Sequence, residues 1–497
     1  MTSLRALALV LLTLACGKAP PVVPDPYAYR EPPHEGVAEA LRPPTWDAHL
    51  REDLLPYWTM AAAKGTPAGN FPTWRDMNGA PASNTARKPR MLGRQTFTYA
   101  MAYALTGDES LLELARAGNR WLLDHARDTN RGGWYADLDA AGAQLQDNAK
   151  FAQDFSYTAM GPAAFFYVTG DAESEAAVLA TRDLLFDPAK FWDQANGRIK
   201  DGLDGALAQE KYMDQGGPRS WQLVAQLDPV TAFLLLVQPA LHDRARRDQV
   251  LGDLRTLALR LHDSFWQDGI FWGATGYIGY YHTFHTDFGH TLKAYWALLQ
   301  IDKRLADHPL HDFLEVNAQA TLDSAYDPAN GRWAKQPRSR TLVDFGSDWW
   351  AAAEADQLAA TLAMNGKAEI STVTTTSSNF RADFVDRTRP ARELVSSVNR
   401  DGSWAYPWQD GDTAKCNEWK SGFHGVEHAL VMSLFGHWVT GTPAPLYFAF
   451  PADRIAELSG RATPYTFQGH VAKVEDLGPL AAEPSRHKVR ITFDQLH

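Results

Sequence analysis

Six glycine turns recur along this chain at similar intervals. They are Gly69-Asn70-Phe71, Gly133-Trp134-Tyr135, Asn196-Gly197-Arg198, Gly269-Ile270-Phe271-Trp272, Asn330-Gly331-Arg332-Trp333 and Gly402-Ser403-Trp404. Successive glycines lie about 62 to 72 residues apart, room for two helices of common length and a long loop. Helical signals dominate residues 90 to 440. Thr106-Gly107-Asp108 precedes Leu111, Leu114, Ala115, Trp121 and Leu122, an apolar face at helical spacing. The same device, Thr169-Gly170-Asp171, precedes Ala176, Ala177, Leu179, Ala180 and Leu184. In each, the glycine closes one helix in a left-handed conformation and the aspartate caps the next. Six helical hairpins in series bury one face each against their neighbours, and closing the series leaves no unpaired end. The expectation is an all-α chain whose residues 45–445 form an (α/α)6 barrel of six helical hairpins, with the long loops gathered on one rim. An open solenoid repeats at about 33 to 47 residues, so the longer period disfavours it.

Both ends change character. Leu446-Tyr447-Phe448-Ala449-Phe450, Tyr465 to Val471 and Val489-Arg490-Ile491-Thr492-Phe493 are rich in β-branched and aromatic residues and read as strands. Residues 446–497 are too few to build an independent core, so they form a β-rich appendage packed on the barrel. At the other end, Arg5 precedes the apolar run Ala6 to Ala15, which suits a signal peptide over residues 1–15 and is too short to span a bilayer. Ala15-Cys16-Gly17 resembles a bacterial lipoprotein cleavage site, with Cys16 as lipid anchor; a plain secretory signal is the alternative. Residues 16–44, with Pro20, Pro21, Pro24, Pro26, Pro32, Pro33, Pro43 and Pro44, read as an extended tether. The body is then exported, to the periplasmic face of a bacterial membrane as a lipoprotein, or else secreted or periplasmic. A lipidated Cys16 leaves Cys416 as a single thiol, expected buried and inert.

Composition narrows the function. The 497 residues carry 48 Lys+Arg against 59 Asp+Glu, a formal charge of −11, which argues against a nucleic-acid partner. Two cysteines cannot build a thiolate zinc site. The 17 Trp, 17 Tyr and 23 Phe fit a large core and aromatic faces for a ligand. Trp134, Trp272, Trp333 and Trp404 stand at the rim loops, a placement a sugar site explains better than core packing alone.

Residues capable of acid–base chemistry concentrate in three segments. In Tyr280 to Lys293, His282, His285 and His290 are spaced His-x2-His-x4-His, which is not a metal-binding helical pair; a general acid–base imidazole fits better. Asp287 is the acid beside them. In Asp344 to Glu354, Trp350 and Glu354 share a helix face, as an indole and a carboxylate do under a sugar; a core tryptophan with a surface glutamate fits the spacing equally. In Trp419 to His428, His424 and His428 are again four apart, and a structural role is the ordinary one for such a histidine.

At these residues the chain resembles the N-acylglucosamine 2-epimerase superfamily, over roughly residues 55 to 445. Arg94-Gln95-Thr96-Phe97 is similar to the family's early Arg-x-x-aromatic segment, and Gly132-Gly133-Trp134-Tyr135 with Leu138, Asp139 and Gly142 to a recurrent loop. Gly289-His290, Trp349-Trp350-x-x-Ala353-Glu354 and Trp419-Lys420-x-x-Phe423-His424 are similar to further family elements. The resemblance implies an (α/α)6 barrel and a sugar 2-epimerase or aldose–ketose isomerase. In it His290 and His424 act as acid and base on an enediolate, without metal or other cofactor. Arg94, Trp349, Trp350, Glu354 and Asp287 are the implied substrate-binding residues, for a mono- or oligosaccharide. The chain departs from the family at three points: Lys293 stands where a glutamate is common, Leu227 to Phe233 has no ring-opening histidine, and Glu427 stands where an arginine is common. Lys293 reads more readily as a solvated helix residue than as a group polarising the sugar oxygen. Two further readings stay open: a glycoside hydrolase on the same barrel, using carboxylates among Asp287, Asp348 and Glu354, and a non-catalytic carbohydrate-binding lipoprotein.

Overall fold

A computed structural model describes residues 25–32, 36–146, 148–213, 220–404 and 415–497. The proposed signal peptide and Cys16 lie outside them. No helix among the described residues is long and apolar enough to cross a membrane.

Twelve helical segments alternate between an outer and an inner ring. The inner ring is Pro89–Thr106, Ala152–Thr169, Leu223–Pro229 continued to Val237, Phe288–Asp302, Trp349–Met364 and Phe423–Val439. These helices are buried on nearly every side, as expected of helices that are apolar all round. The outer helices show a single buried stripe instead; in Glu109–Trp121 it comprises Leu111, Leu112, Leu114, Ala115, Gly118, Asn119 and Trp121. Gly107 (φ 68°) and Gly170 (φ 66°) close inner helices in the left-handed conformation. Asp108 and Asp171 then cap the next outer helices by accepting from the Ser110 and Ser174 amides. The (α/α)6 barrel predicted from the repeat is the fold observed.

All six glycine turns fall in the long loops that run from an outer helix to the following inner one, so they share a rim. Their central glycines all have positive φ, between 59° and 95°, which explains the residue type. Several make miniature hairpins, such as Trp266–Gln267 with Ile270–Phe271 and Tyr326–Asp327 with Arg332–Trp333. The rim therefore carries the N-terminal turns of the inner helices, which hold Arg94, His290, Trp350, Glu354 and His424.

The rim tryptophans correct one expectation. Trp134, Trp272 and Trp333 are buried, and their indoles donate to Thr181, to the Gln267 carbonyl and to Asp356. They tie the loops down rather than present faces to a ligand, because a flat, amphipathic ring secures an otherwise polar loop. Only Trp404 among the four is exposed.

Inner helices approach most closely at glycine. A Cβ on Gly93 would lie 2.0 Å from the Tyr157 carbonyl oxygen, and one on Gly161 would lie 3.1 Å from the Gly93 Cα. Both obstacles are backbone atoms, so neither can rotate away. Gly93→Ala is expected to cost about 1–3 kcal/mol of stability, read as a lowered thermal midpoint, despite alanine's better helix propensity.

The opposite end of the barrel is covered by the C-terminal residues. Strands Ala444–Pro451, Arg486–Asp494 and His470–Pro479 form an antiparallel sheet with Arg486–Asp494 in the middle. Its first strand begins at Ala444, two residues before the expected appendage. Tyr103 donates to the Phe448 carbonyl at 2.9 Å and Tyr167 to the Thr463 carbonyl at 2.6 Å, which join this unit to the barrel. The segment read as an extended tether also docks in its described part. Tyr27 is buried with its hydroxyl 2.8 Å from Asp302, and Pro43 and Pro44 open the helix Pro43–Ala48. Proline at a first helical turn costs no hydrogen bond, which is why a proline-rich stretch ends in a helix. Cys416 is buried as expected, its thiol on the Thr73 carbonyl.

Candidate active site

Asp287 caps the inner helix Phe288–Asp302. One carboxylate oxygen accepts from the His290 amide at 2.7 Å, and the other lies 2.8 Å from His290 Nδ1. Burial opposes its charge, but His290 outweighs burial and holds the carboxyl below its usual range. Both oxygens of Asp287 thus face His290 and orient its imidazole. The neighbouring loop residues do not join it as a metal set. His282 (φ 70°) meets Arg338 at 3.2 Å, whereas His285 (φ 60°) is packed edge-on to His290 at 4.8 Å. Burial, with the His290 charge adding, pushes His285 down to about 3.

Trp350, in the first turn of Trp349–Met364, packs against both candidate catalytic histidines. Its ring centre is 4.8 Å from that of His290 and 5.9 Å from that of His424. Trp349 meets His424 edge-on at 6.3 Å. One turn further along the helix, Glu354 lies beneath His424, with Oε1 3.4 Å from Nδ1, while Oε2 accepts from Trp296 at 2.6 Å. Burial works against the Glu354 charge; His424, Lys293 and Trp296 outweigh it and hold the carboxyl low. Burial also keeps the His424 imidazole neutral, pushed down to about 4. His428, four residues on, faces outward: it is bonded to Asp356 at 2.8 Å and packed on Phe380, a structural position.

Arg94 reaches the same rim from Pro89–Thr106. Its guanidinium stacks 3.6 Å over the Tyr157 ring and donates to the Trp419 carbonyl at 3.0 Å. Trp419 remains partly exposed at the mouth.

Lys293 is the largest departure from the sequence reading. It is 2% exposed, not solvated. Its ammonium donates to Asp228 at 2.9 Å and to the Tyr157 hydroxyl at 3.0 Å. Gln153 donates to the other Asp228 oxygen at 2.9 Å. Burial alone would discharge the amine, but Asp228 outweighs it, so Lys293 is held charged. Asp228 belongs to the stretch that lacks the family's histidine. A charged residue inside Leu223 to Val237, otherwise so apolar, was the signal that a buried partner existed.

Glu354, His424 and Glu427 bring one carboxylate or imidazole atom each within 4.8 Å of the others, the single set of metal-type donors found among the described residues. Its surroundings favour proton sharing over a dication. Trp296 and Tyr465 already donate to the two carboxyls, and the Lys293 charge acts on both. Tyr157, Asp228 and Tyr465 are site residues that sequence reasoning did not single out, and Glu427 entered it only as a departure from the family.

Three buried imidazoles, His49, His285 and His424, are pushed below 6.5 by burial, to about 4, about 3 and about 4. Between pH 6.5 and 4 the unfolded chain binds more protons at these positions than the folded one, so their contribution to stability falls as pH falls. Thermal midpoints are expected to drop measurably from pH 7 to pH 5.

Residues 69–216 match the model of the N-acylglucosamine 2-epimerase (GlcNAc 2-epimerase) family. A cellobiose 2-epimerase of Bacteroides fragilis is 36% identical over 162 residues, 32% of this chain and 39% of the relative's length. Among solved structures, the cellobiose 2-epimerase of Spirochaeta thermophila superposes with a TM-score of 0.67 at 19% identity, covering 79% of this chain and 96% of that one. A D-mannose isomerase superposes with a TM-score of 0.66 at 17% identity, covering 80% and 99%. At those identities the structural likeness establishes the fold.

Proposed function

We propose that this chain, whose residues 69–216 match the N-acylglucosamine 2-epimerase family, is a sugar 2-epimerase or aldose–ketose isomerase that uses two histidines and no metal. The observation that carries this reading is that His290 and His424 both pack against the Trp350 indole, with ring centres 4.8 and 5.9 Å away. A sugar stacked on that ring presents C2 between two imidazoles.

The reaction removes a weakly acidic proton beside the carbonyl of an opened sugar and returns a proton to the chosen carbon or face. His424, neutral across the working range, has a free lone pair to take that proton. His290 delivers a proton of its own from the other side, and exchange with solvent then resets both imidazoles. With Asp287 accepting from Nδ1–H, the Nε2 of His290 carries the exchangeable site. The enediolate gathers negative charge, which fixed cations stabilise without reorganising. Lys293 is such a cation: an ammonium has three donors, and Asp228 and Tyr157 take two. Arg94 holds sugar oxygens at the mouth.

A hydrolase on this barrel needs two carboxyls across one glycosidic bond. Asp287 is engaged with His290, and Glu354 lies under His424 and Trp296. That engagement favours the isomerase. The test is a panel of aldoses and ketoses in deuterated water followed by proton NMR. Loss of the C2 proton signal with product formation is expected; hydrolysis without exchange, or silence across the panel, overturns the reading.

The N-terminus supports export as a lipoprotein, on the strength of the Ala6 to Ala15 run and Cys16. Cys16→Ser is expected to move the protein from the membrane fraction to the soluble periplasm; an unchanged distribution argues for a plain secretory signal.

A further inference from the structure

We infer that Tyr465, supplied by the C-terminal unit, is a positioning residue of the site: its hydroxyl sets the Glu427 carboxyl in the orientation that meets His424. The sheet unit covers the barrel end opposite the rim, yet Tyr465 reaches up inside the ring of inner helices. It is 1% exposed, its ring stands edge-on to Phe97 at 6.3 Å, and its hydroxyl donates to Glu427 Oε1. Glu427 Oε2 lies 4.0 Å from His424 Nδ1, and Glu354 Oε1 lies 3.4 Å from the same nitrogen. The cluster thus runs from the C-terminal unit to a candidate catalytic imidazole through one carboxyl.

The backbone at this point is held against its preference. Tyr465 has φ 62°, a left-handed conformation uncommon for a tyrosine. Its amide donates to the Tyr167 hydroxyl at 3.0 Å, and that hydroxyl donates to the Thr463 carbonyl at 2.6 Å. A strained residue fixed from both sides, with its side chain threaded to the site, is more than a cover requires.

The chemistry follows from which oxygen Tyr465 takes. Two carboxyls beside one neutral imidazole cannot all carry charge comfortably. Burial and the Glu354 charge push Glu427 up to about 8, and Tyr465 opposes that rise. The groups facing Glu427 are Glu354 on Trp349–Met364, Lys293 on Phe288–Asp302, His424 on its own helix, and Tyr465. Arg94 also faces His424. With Oε1 accepting from Tyr465, the Glu427 proton resides on Oε2, the oxygen toward His424. His424 Nδ1 and Glu354 Oε1 are both buried without a hydrogen-bond partner in the resting site. A small rotation of the protonated Glu427 lets it donate to Glu354 Oε1, so the carboxyl is placed to share the charge beneath His424 during turnover.

The activity arm of the test rests on the isomerase reading; the spectroscopic arm does not. Tyr465→Phe keeps the ring and removes the donor. The His424 imidazole resonances and their titration, followed by NMR, are expected to move while the melting temperature and circular dichroism stay close to those of the parent. In C2-exchange assays kcat is expected to fall about tenfold with KM within about twofold. Losing a donor to the charged carboxylate raises the Glu427 pKa, so the basic limb of the pH profile shifts upward. Glu427→Gln reads the same link from the other end: the basic limb disappears and the His424 signals move. If both variants leave His424 resonances unchanged, or Tyr465→Phe keeps kcat and both limbs, the positioning role is wrong. His424 signals that respond in a protein silent on every sugar uphold the positioning role and defeat the isomerase reading instead.

Discussion

His424→Asn and His290→Asn are each expected to lower kcat by about 10²- to 10⁴-fold with little change in KM. Asparagine is close in size to imidazole and keeps a polar group, so the fold and sugar binding survive while proton transfer does not. The two variants differ in a useful way. If one imidazole takes the proton from one face and the other returns it, a residual exchange of the C2 proton with solvent can persist in one variant without epimer formation. Mass-resolved product analysis in deuterated water separates those steps. Full activity in either variant overturns the two-base scheme. Asp287→Asn probes the same machinery indirectly: the carboxylate that takes both the His290 amide and Nδ1 is replaced by a group that can offer the wrong tautomer.

Asp228→Ala carries the largest expected effect on stability, about 3–5 kcal/mol. Asp228 is fully buried, and its removal leaves the Lys293 ammonium without its counter-ion inside the barrel. Urea unfolding would report the loss as a lowered midpoint at unchanged slope. The paired change Asp228→Leu with Lys293→Met removes both charges together and is expected to recover most of the stability, since replacing a buried ion pair by apolar groups is often neutral. It should not recover activity, because the fixed cation proposed to stabilise the enediolate goes with it. A double variant that is stable and fully active would assign Lys293 to structure alone.

Much of the fold was legible because it is written in local chemistry. The six glycine turns need positive φ, the Thr-Gly-Asp devices end one helix and cap the next, and the longer period separates a closed barrel from a solenoid. The site was legible only in outline. His290, His424, Trp350 and Arg94 do share a rim, since each begins an inner helix. Asp287 and Glu354 come to the same region with contacts that spacing does not specify, the first as a cap that grips its own histidine and the second as an acid buried beneath the other. Spacing places a residue on a face and says nothing about which neighbour its oxygens meet. The buried rim tryptophans make the same point, for an indole that staples a loop and one that stacks on a sugar look alike in sequence.

The repeat, the helix boundaries and the rim on which the chemistry gathers follow from residue order, because each depends on residues within a few positions of one another. Only the folded barrel pairs Lys293 with Asp228, 65 residues apart, and Glu427 with Tyr465, 38 apart. The meeting of consecutive inner helices brings the first pair together, and insertion of the C-terminal unit into the barrel brings the second. Whether a buried charge is solvated, paired or shared is a property of that enclosure, where low polarity makes every unpaired group costly. A lysine that reads as a surface residue in one dimension is, in three, a buried charge paired with Asp228.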